Sequence, residues 1–316
     1  MVMGGRLFYS ECLDNTRMDQ TTYNNVVSFL TSKLTEYNIS HKVVPYITEK
    51  NTFGDIDIII EPVSIDVLRN VVGEFVPYSR NSNIHSFLFQ HKYQVDFIFS
   101  EKNKFNMTSF FYGYNDFAWM IAKLLEKGNA YKLYENGLYY IYHSNYKNHN
   151  ILLTDNPDLI LEVCQLNPSR YKEGFTTYTD MFDYIGECPI LSSSLYALDR
   201  MSHNNRKIYK NRTTYKKFSK WMDKHNVPVT SYGKLISPNI KFNNIVNQSI
   251  NEIDSQYEKN KTFKQSFNGN LVSNLTGLKH HELGKFMAYI RKKYTDEQLI
   301  ENAATIILQE FNEGNM

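Results

Sequence analysis

The sequence predicts an α+β fold: a small mixed sheet with helices packed on it, followed by mainly helical parts. Three observations carry that expectation. Strand-like runs crowd into residues 41–99, separated by short turn signals. Helical spacing of apolar residues takes over from about residue 150 onward. The chain has 316 residues, 42% of them apolar, and a single core rarely grows beyond roughly 250 residues, so more than one domain is expected.

Taken in order, residues 20–36 space Val26, Phe29, Leu30 and Leu34 along one face of a helix. HKVVPYI (41–47) has strand composition. DIDIIIEP (55–62) follows Gly54 and stops at Pro62, as a buried strand does. A helix is expected over 63–75, then two strands, 84–90 and 93–99, joined by a turn at His91-Lys92. Residues 115–127 form a helix that Asn115 or Asp116 caps and Gly128 follows. Residues 138–144 alternate like a strand. Helical segments are expected at 155–166, 177–187, 193–202 and 206–225. A polar stretch, 239–264, leads to a last helical pair, 280–294 and 296–312. There is no internal repeat. Boundaries near 150 and 230 give three domains: 1–150, which holds the strand-rich block, 151–230, helical with a basic stretch, and 231–316, helical.

The charged fraction is 22% and the net charge +2, which is ordinary for a soluble globular chain, so any basic footprint must be local. Tyr, Phe, Asn and Lys are frequent, a usage that AT-rich genomes, viral ones included, produce without functional cause. Cys12, Cys164 and Cys188 are scattered and form no CxxC, which argues against a disulfide framework or a cysteine zinc site. The start, MVMGGRLFYSECLDN, lacks the apolar run of a signal peptide, and no stretch approaches the roughly 18 apolar residues that span a membrane. A cytoplasmic protein is expected, or one of the host cytoplasm if the source is viral. GxxxxGK[ST], GxSxG and HExxH are all missing, so P-loop, serine-hydrolase and zincin chemistry are not indicated.

The sharpest local pattern is Gly54-Asp55-Ile56-Asp57-Ile58-Ile59-Ile60. Side chains alternate across a strand, so Asp55 and Asp57 share one face while Ile56 and Ile58 point into the packed side. Two adjacent carboxylates repel unless they share a cation, and magnesium takes carboxylate and phosphate oxygens. Asp96, in Tyr93-Gln94-Val95-Asp96-Phe97-Ile98-Phe99, sits amid apolar residues where an unpaired charge is expensive. If its strand neighbours 55–60, the three acids can hold two ions, Mg²⁺ or Mn²⁺, with Asp96 the candidate for general base. The bland alternatives are a turn-marking DxD and an Asp96 paired to Lys92 or a backbone amide.

Residues 203–226 hold the densest basic cluster: Arg206, Lys207, Lys210, Arg212, Lys216, Lys217, Lys220 and Lys224, against the single acid Asp223. Tyr209, Tyr215, Phe218 and Trp221 are interleaved. The stripe suits a phosphate backbone, whereas the aromatics suit a helix core better than base stacking.

Thr52–Ile60 resembles the palm motif of family X DNA polymerases and their nucleotidyltransferase relatives. Gln94-Val95-Asp96-Phe97 resembles the strand carrying their third aspartate. Phe111-Tyr112-Gly113-Tyr114-Asn115-Asp116-Phe117 is similar to their nucleotide-contacting segment, and Lys132–Tyr139 to the strand-turn after it. The likeness covers about residues 40–145. A second, shorter one links Leu275–Phe286, which includes Gly277, His280, His281 and Gly284, to a helical element of tRNA nucleotidyltransferases and bacterial poly(A) polymerases.

The resemblance implies a palm that binds an NTP–metal complex through Asp55, Asp57 and Asp96 and transfers NMP to a hydroxyl. It implies nucleotide contacts from Gly54, Tyr112, Gly113 and Asn115, and a nucleic acid, DNA or RNA, as partner. One departure matters: the family's upstream Gly-Ser phosphate cradle is replaced by Val43-Val44-Pro45-Tyr46-Ile47-Thr48, and Pro45 removes an amide donor. Thr48, Lys50, Thr52 and Arg80 are the candidate substitutes. Two alternatives stand beside polymer extension: NMP transfer to a protein, tRNA or small molecule, and a non-catalytic nucleic-acid-binding protein with a degenerate palm.

Overall fold

The computed structural model describes residues 7–8, 17–126, 131–144, 147–230 and 234–314; Cys12 and most of the opening segment lie outside the described residues. The fold is mixed α+β, a sheet-based part followed by helices, as expected. By compactness the chain divides once, into Met1–Asn243 and Asn244–Met316. The threefold division at 150 and 230 stays a proposal about roles.

In the first unit, β1 (Met18–Asp19) leads into α1 (Gln20–Glu36), which Asp19 caps by accepting from the Thr22 amide. Then come β2 (His41–Val43), β3 (Thr52–Phe53), β4 (Asp55–Ile60), α2 (Ile65–Val72), β5 (Tyr78–Asn81), β6 (Ile84–Phe89) and β7 (Tyr93–Phe99). The strand expected over 41–47 stops at Val43, before Pro45 interrupts the ladder. β6 and β7 form a tight hairpin because Gln90 and His91 both adopt positive φ.

The central sheet has the order β2-β4-β7-β6-β5, with β4 and β7 parallel and the other pairs antiparallel. β7 is thus the middle strand. One face carries Ile56, Ile58, Ile60, Val95, Phe97, Phe87 and Phe89 and is covered by Leu30 and Leu34 of α1 and Leu68 and Val71 of α2. At roughly 1.5–3 kcal/mol for each fully buried large apolar side chain, this face is the main anchor of the sheet. Phe29, expected on the inner stripe of α1, is instead 46% exposed, although its ring still approaches Phe89. The other face is smaller: Val44, Ile59 and Ile98 pack on Phe105 of α3 (Phe105–Tyr112).

α4 (Phe117–Glu126) precedes an antiparallel sheet of β8 (Tyr131–Tyr134), β9 (Gly137–His143) and β10 (Asn148–Thr154). β10 corrects the expectation of helix from 150: NHNILLT alternates Ile151 and Leu153 inward, a period-2 pattern too short to stand out. Next follow α5 (Pro157–Val163), α6 (Pro168–Lys172) and α7 (Tyr178–Gly186). The helix expected over 193–202 is two 3₁₀ turns, Ser193–Tyr196 and Leu198–Arg200. The basic stretch is two helices, α8 (His203–Tyr209) and α9 (Thr213–Lys224), and α10 (Pro238–Lys241) follows.

The polar stretch 239–264 also needs correcting. Most of it is α11 (Asn243–Ser266), in which Val246, Ile250, Ile253 and Tyr257 recur at helical spacing among polar residues. The second unit continues with α12 (Gly269–Thr276), α13 (His280–Lys293) and α14 (Asp296–Asn312), packed around Val272, Phe286, Ile290, Leu299 and Ile307. Gly277 ends α12 in the left-handed region, φ 75°. Fully buried Glu310 accepts from Lys293 Nζ (2.6 Å), the Tyr289 hydroxyl (2.7 Å) and the Tyr294 hydroxyl. Those donors hold its carboxyl down at about 2. Among the described residues no helix is long and apolar enough to cross a membrane.

Candidate metal centre

Parallel pairing of β4 with β7 sets Asp57 opposite Asp96 and Asp55 opposite Gln94. Strand alternation then puts Asp55, Asp57, Gln94 and Asp96 on one face, together with Ser86, which lies opposite Asp96 on β6. Each aspartate offers an oxygen within 4.8 Å of the other two. The Gln94 amide donates to both Asp96 oxygens, at 3.1 and 2.9 Å. The pairing with Lys92 is not what holds Asp96.

Burial is the largest force on this cluster, and mutual repulsion adds to it. Burial pushes the Asp57 carboxyl well up, Asp55 and Asp96 push it further, and Lys50 opposes them. Burial and the Asp55 charge raise Asp96 to about 6, although hydrogen bonds from Ser86 and Gln94 favour its charged form. Three carboxylates enclosed this closely destabilise the metal-free fold. A hard divalent cation coordinated by oxygen relieves the repulsion, and the all-carboxylate donor set fits Mg²⁺ or Mn²⁺.

Of the candidate phosphate contacts, Lys50 is the one the fold turns toward the acids. Its ammonium lies 4.9 Å from the Phe53 ring centroid and feels both Asp55 and Asp57. Burial lowers its proton affinity and the two aspartates partly restore it. Gly54 sits between β3 and β4 and delivers Asp55 to the sheet. Thr52 is tied to Arg17, whose guanidinium donates to Thr52 Oγ1 and to the Thr52 carbonyl, both at 3.1 Å. The Thr48 hydroxyl instead donates to the Thr176 carbonyl at 3.2 Å. Arg80 is not brought to the cluster. It pairs with His85 in the ladder, on the face opposite Asp96 and Ser86, and donates to Ser82 O at 3.0 Å.

Tyr112 ends α3 near Asp57, and its hydroxyl is engaged with Asn83 and Glu135. Burial, then the Glu135 and Asp57 charges, raise its pKa. Gly113 is required by close approach: an added Cβ would stand 2.6 Å from the Ser109 carbonyl and 2.9 Å from Pro45 Cγ. Tyr114 and Asn115 follow with positive φ, and the Asn115 amide donates to the Tyr178 hydroxyl at 3.0 Å.

The basic cluster splits into two kinds of residue. Arg206 is spent on the chain, donating to the carbonyls of Leu198, Asp199 and Met201. Arg212 forms an ion pair with Asp116, which is only 5% exposed. Lys207, Lys210, Lys216, Lys217, Lys220 and Lys224 are exposed. On α9, Lys216, Lys217, Lys220 and Lys224 recur at spacings of one, three and four, which gathers them on one face. Tyr215 and Phe218 are buried on the other face, so they are core rather than stacking platforms.

Gln94, Ser86 and Arg17 were not singled out from the sequence. Gln94 alone had a visible signal, since it lies two residues from Asp96 and shares its strand face.

No protein-family model matches this chain, and no curated protein does. A solved structure, Leishmania infantum polymerase beta in a ternary gap complex, is similar over 41% of this chain and 53% of its own, at 16% identity and a TM-score of 0.33. The chain thus spans about half the length of that polymerase.

Proposed function

We propose that this chain is a metal-dependent nucleotidyltransferase that moves NMP from an NTP or dNTP to a hydroxyl, with a nucleic-acid 3′ end as acceptor. The observation that carries the proposal is the convergence of Asp55, Asp57 and Asp96 within 4.8 Å on one sheet face. In this reading Asp55, Asp57 and Asp96 would hold Mg²⁺ or Mn²⁺, which supplies charge neutralisation for in-line displacement of pyrophosphate. Lys50, facing the same acids, meets the triphosphate. Asp96, oriented by the Gln94 amide, takes the proton of the attacking hydroxyl. Tyr112 and Gly113, at the end of α3, border the nucleotide. The exposed lysines of α8 and α9 supply sequence-independent contacts to acceptor phosphates.

The test is transfer of label from NTPs and dNTPs, with Mg²⁺ or Mn²⁺, onto short DNA, RNA and tRNA acceptors. Label on a 3′ end, lost in Asp55→Ala and Asp57→Ala proteins that still melt cooperatively, supports the proposal. Label on protein moves the acceptor to another class. A wild-type chain that transfers nothing and binds no NTP in the presence of metal is a degenerate palm, and the enzyme reading fails.

A further inference from the structure

Glu49 belongs to no part of the site described so far, yet it precedes Lys50 and ties the loop that carries it to a distant part of the chain. Its amide donates to the Thr176 carbonyl at 2.9 Å, beside a longer bond from the Thr48 amide to the Phe175 carbonyl, 3.4 Å. Its Oε1 accepts from the Tyr178 amide at 2.8 Å, an otherwise open donor in the first turn of α7. The same oxygen is 3.7 Å from Lys217 Nζ on α9. Lys217 in turn lies 3.8 Å from the Tyr178 ring centroid, and the Tyr178 hydroxyl is held by Asn115.

We propose that Glu49 is a positioning residue: by accepting the Tyr178 amide it fixes the 48–52 loop so that Lys50 faces Asp55 and Asp57. This deepens, and rests on, the assignment of Lys50 to the triphosphate. The Glu49 carboxylate is 36% exposed and its Lys217 partner 46%, so the ion pair itself contributes little to stability. What the contact sets is where the next side chain points. The Lys50 backbone is held only locally, its amide donating to Ile47 O at 3.0 Å, while its ammonium rests 4.9 Å from the Phe53 ring centroid, so the direction of the side chain follows the path of the loop.

Glu49→Ala and Glu49→Gln separate positioning from general support. Glutamine keeps an oxygen to accept from the Tyr178 amide and gives up the charge facing Lys217. Amine acetylation of Lys50, followed by mass spectrometry on the full chain without nucleotide or metal, reads its exposure directly. Glu49→Ala should acetylate Lys50 several-fold faster, raise the KM for NTP about tenfold or more with a smaller change in kcat, and lower Tm by no more than about 3 °C. Glu49→Gln should restore both the labelling rate and KM. Wild-type labelling in Glu49→Ala, or a Glu49→Gln protein as impaired as Glu49→Ala, overturns the proposal. The labelling arm needs no catalysis. A wild-type chain that transfers no NMP therefore removes the nucleotidyltransferase reading while the positioning result stands.

Discussion

Replacing Asp96 by Asn should make the metal-free protein more stable at neutral pH. Burial and the Asp55 charge raise the Asp96 carboxyl from its ordinary 3.8 to about 6. Below about pH 4 both the native and the unfolded chain keep this proton, and it contributes nothing to the pH dependence. Between about 4 and 6 the native state retains a proton that the unfolded chain has released, so stability falls as pH rises. Above 6 the full cost of ionising the group in the fold is present. At about 1.4 kcal/mol per pKa unit, that cost is about 3 kcal/mol. Asparagine removes the ionisation, and the hydrogen bonds from Ser86 and Gln94 to the charged form are already contained in that shift. The expected gain for Asp96→Asn is therefore about 3 kcal/mol at pH 7.5, vanishing near pH 4. Both tryptophans, Trp119 and Trp221, lie in the unit that carries the site, so urea unfolding followed by their fluorescence reports the relevant transition. Working in EDTA isolates the metal-free state, and subtracting the two proteins removes the titrating groups outside the cluster, while Asp57, relieved of the Asp96 charge, adds to the difference in the same direction. Added Mg²⁺ should then stabilise wild type and leave Asp96→Asn nearly unmoved. A difference that does not change with pH, or a variant less stable than wild type at pH 7.5, would refute the claim that burial, with the Asp55 charge added, raises this carboxyl.

Three further outcomes follow from the packing around it. Arg212→Ala should cost about 3–5 kcal/mol in urea unfolding, because it takes the ion-pair partner from buried Asp116, while oligonucleotide affinity of the folded fraction stays near wild type. Lys216→Ala with Lys220→Ala should leave stability within about 0.5 kcal/mol, and should reduce the slope of log affinity against log salt by about 1.4 for a single strand or 1.8 for a duplex, read by fluorescence anisotropy. Gly113→Ala should destabilise by about 1–3 kcal/mol, measured in the same way, since its Cβ cannot clear the Ser109 carbonyl without moving the turn off Pro45.

The features legible in the sequence are those set by neighbours along the chain. Period-2 alternation placed Asp55 and Asp57 on one face, and it needs nothing beyond the strand itself. The helices α1, α4, α13 and α14 follow from apolar spacing and their end signals. Phe218 and Tyr215 were readable as core because they recur at helical spacing opposite the lysines. The features that were not legible depend on partners far along the chain. Nothing local tells that Arg206 is bound to carbonyls and Arg212 to Asp116, so both look like the lysines beside them. Arg80 lies in a polar stretch as Lys50 does, but strand register, which composition does not encode, sent it to the face opposite Asp96 and Ser86. α11 was hidden because its stripe of four apolar residues is diluted by polar ones, and of the four only Val246 is buried.

The same distinction bears on how, under the proposed function, a chain without a Gly-Ser cradle would meet a triphosphate. A cradle of backbone amides needs residues free to bend and free to donate, and Pro45 supplies neither. Its carbonyl instead accepts the Tyr114 amide at 2.9 Å, and its ring occupies the space that a side chain at Gly113 would need. The segment that would have wrapped phosphate therefore anchors the 113–115 turn beside the acids. If the proposed function holds, positive charge for the phosphates would come from a side chain long enough to return to the site from the following loop. Lys50, between Glu49 on the α7 contact and Phe53 beneath its ammonium, has that reach and that orientation. A side-chain cation held by a loop is easier to displace than a row of amides. That is why the tie at Glu49 should matter here, where a backbone cradle would have made it dispensable.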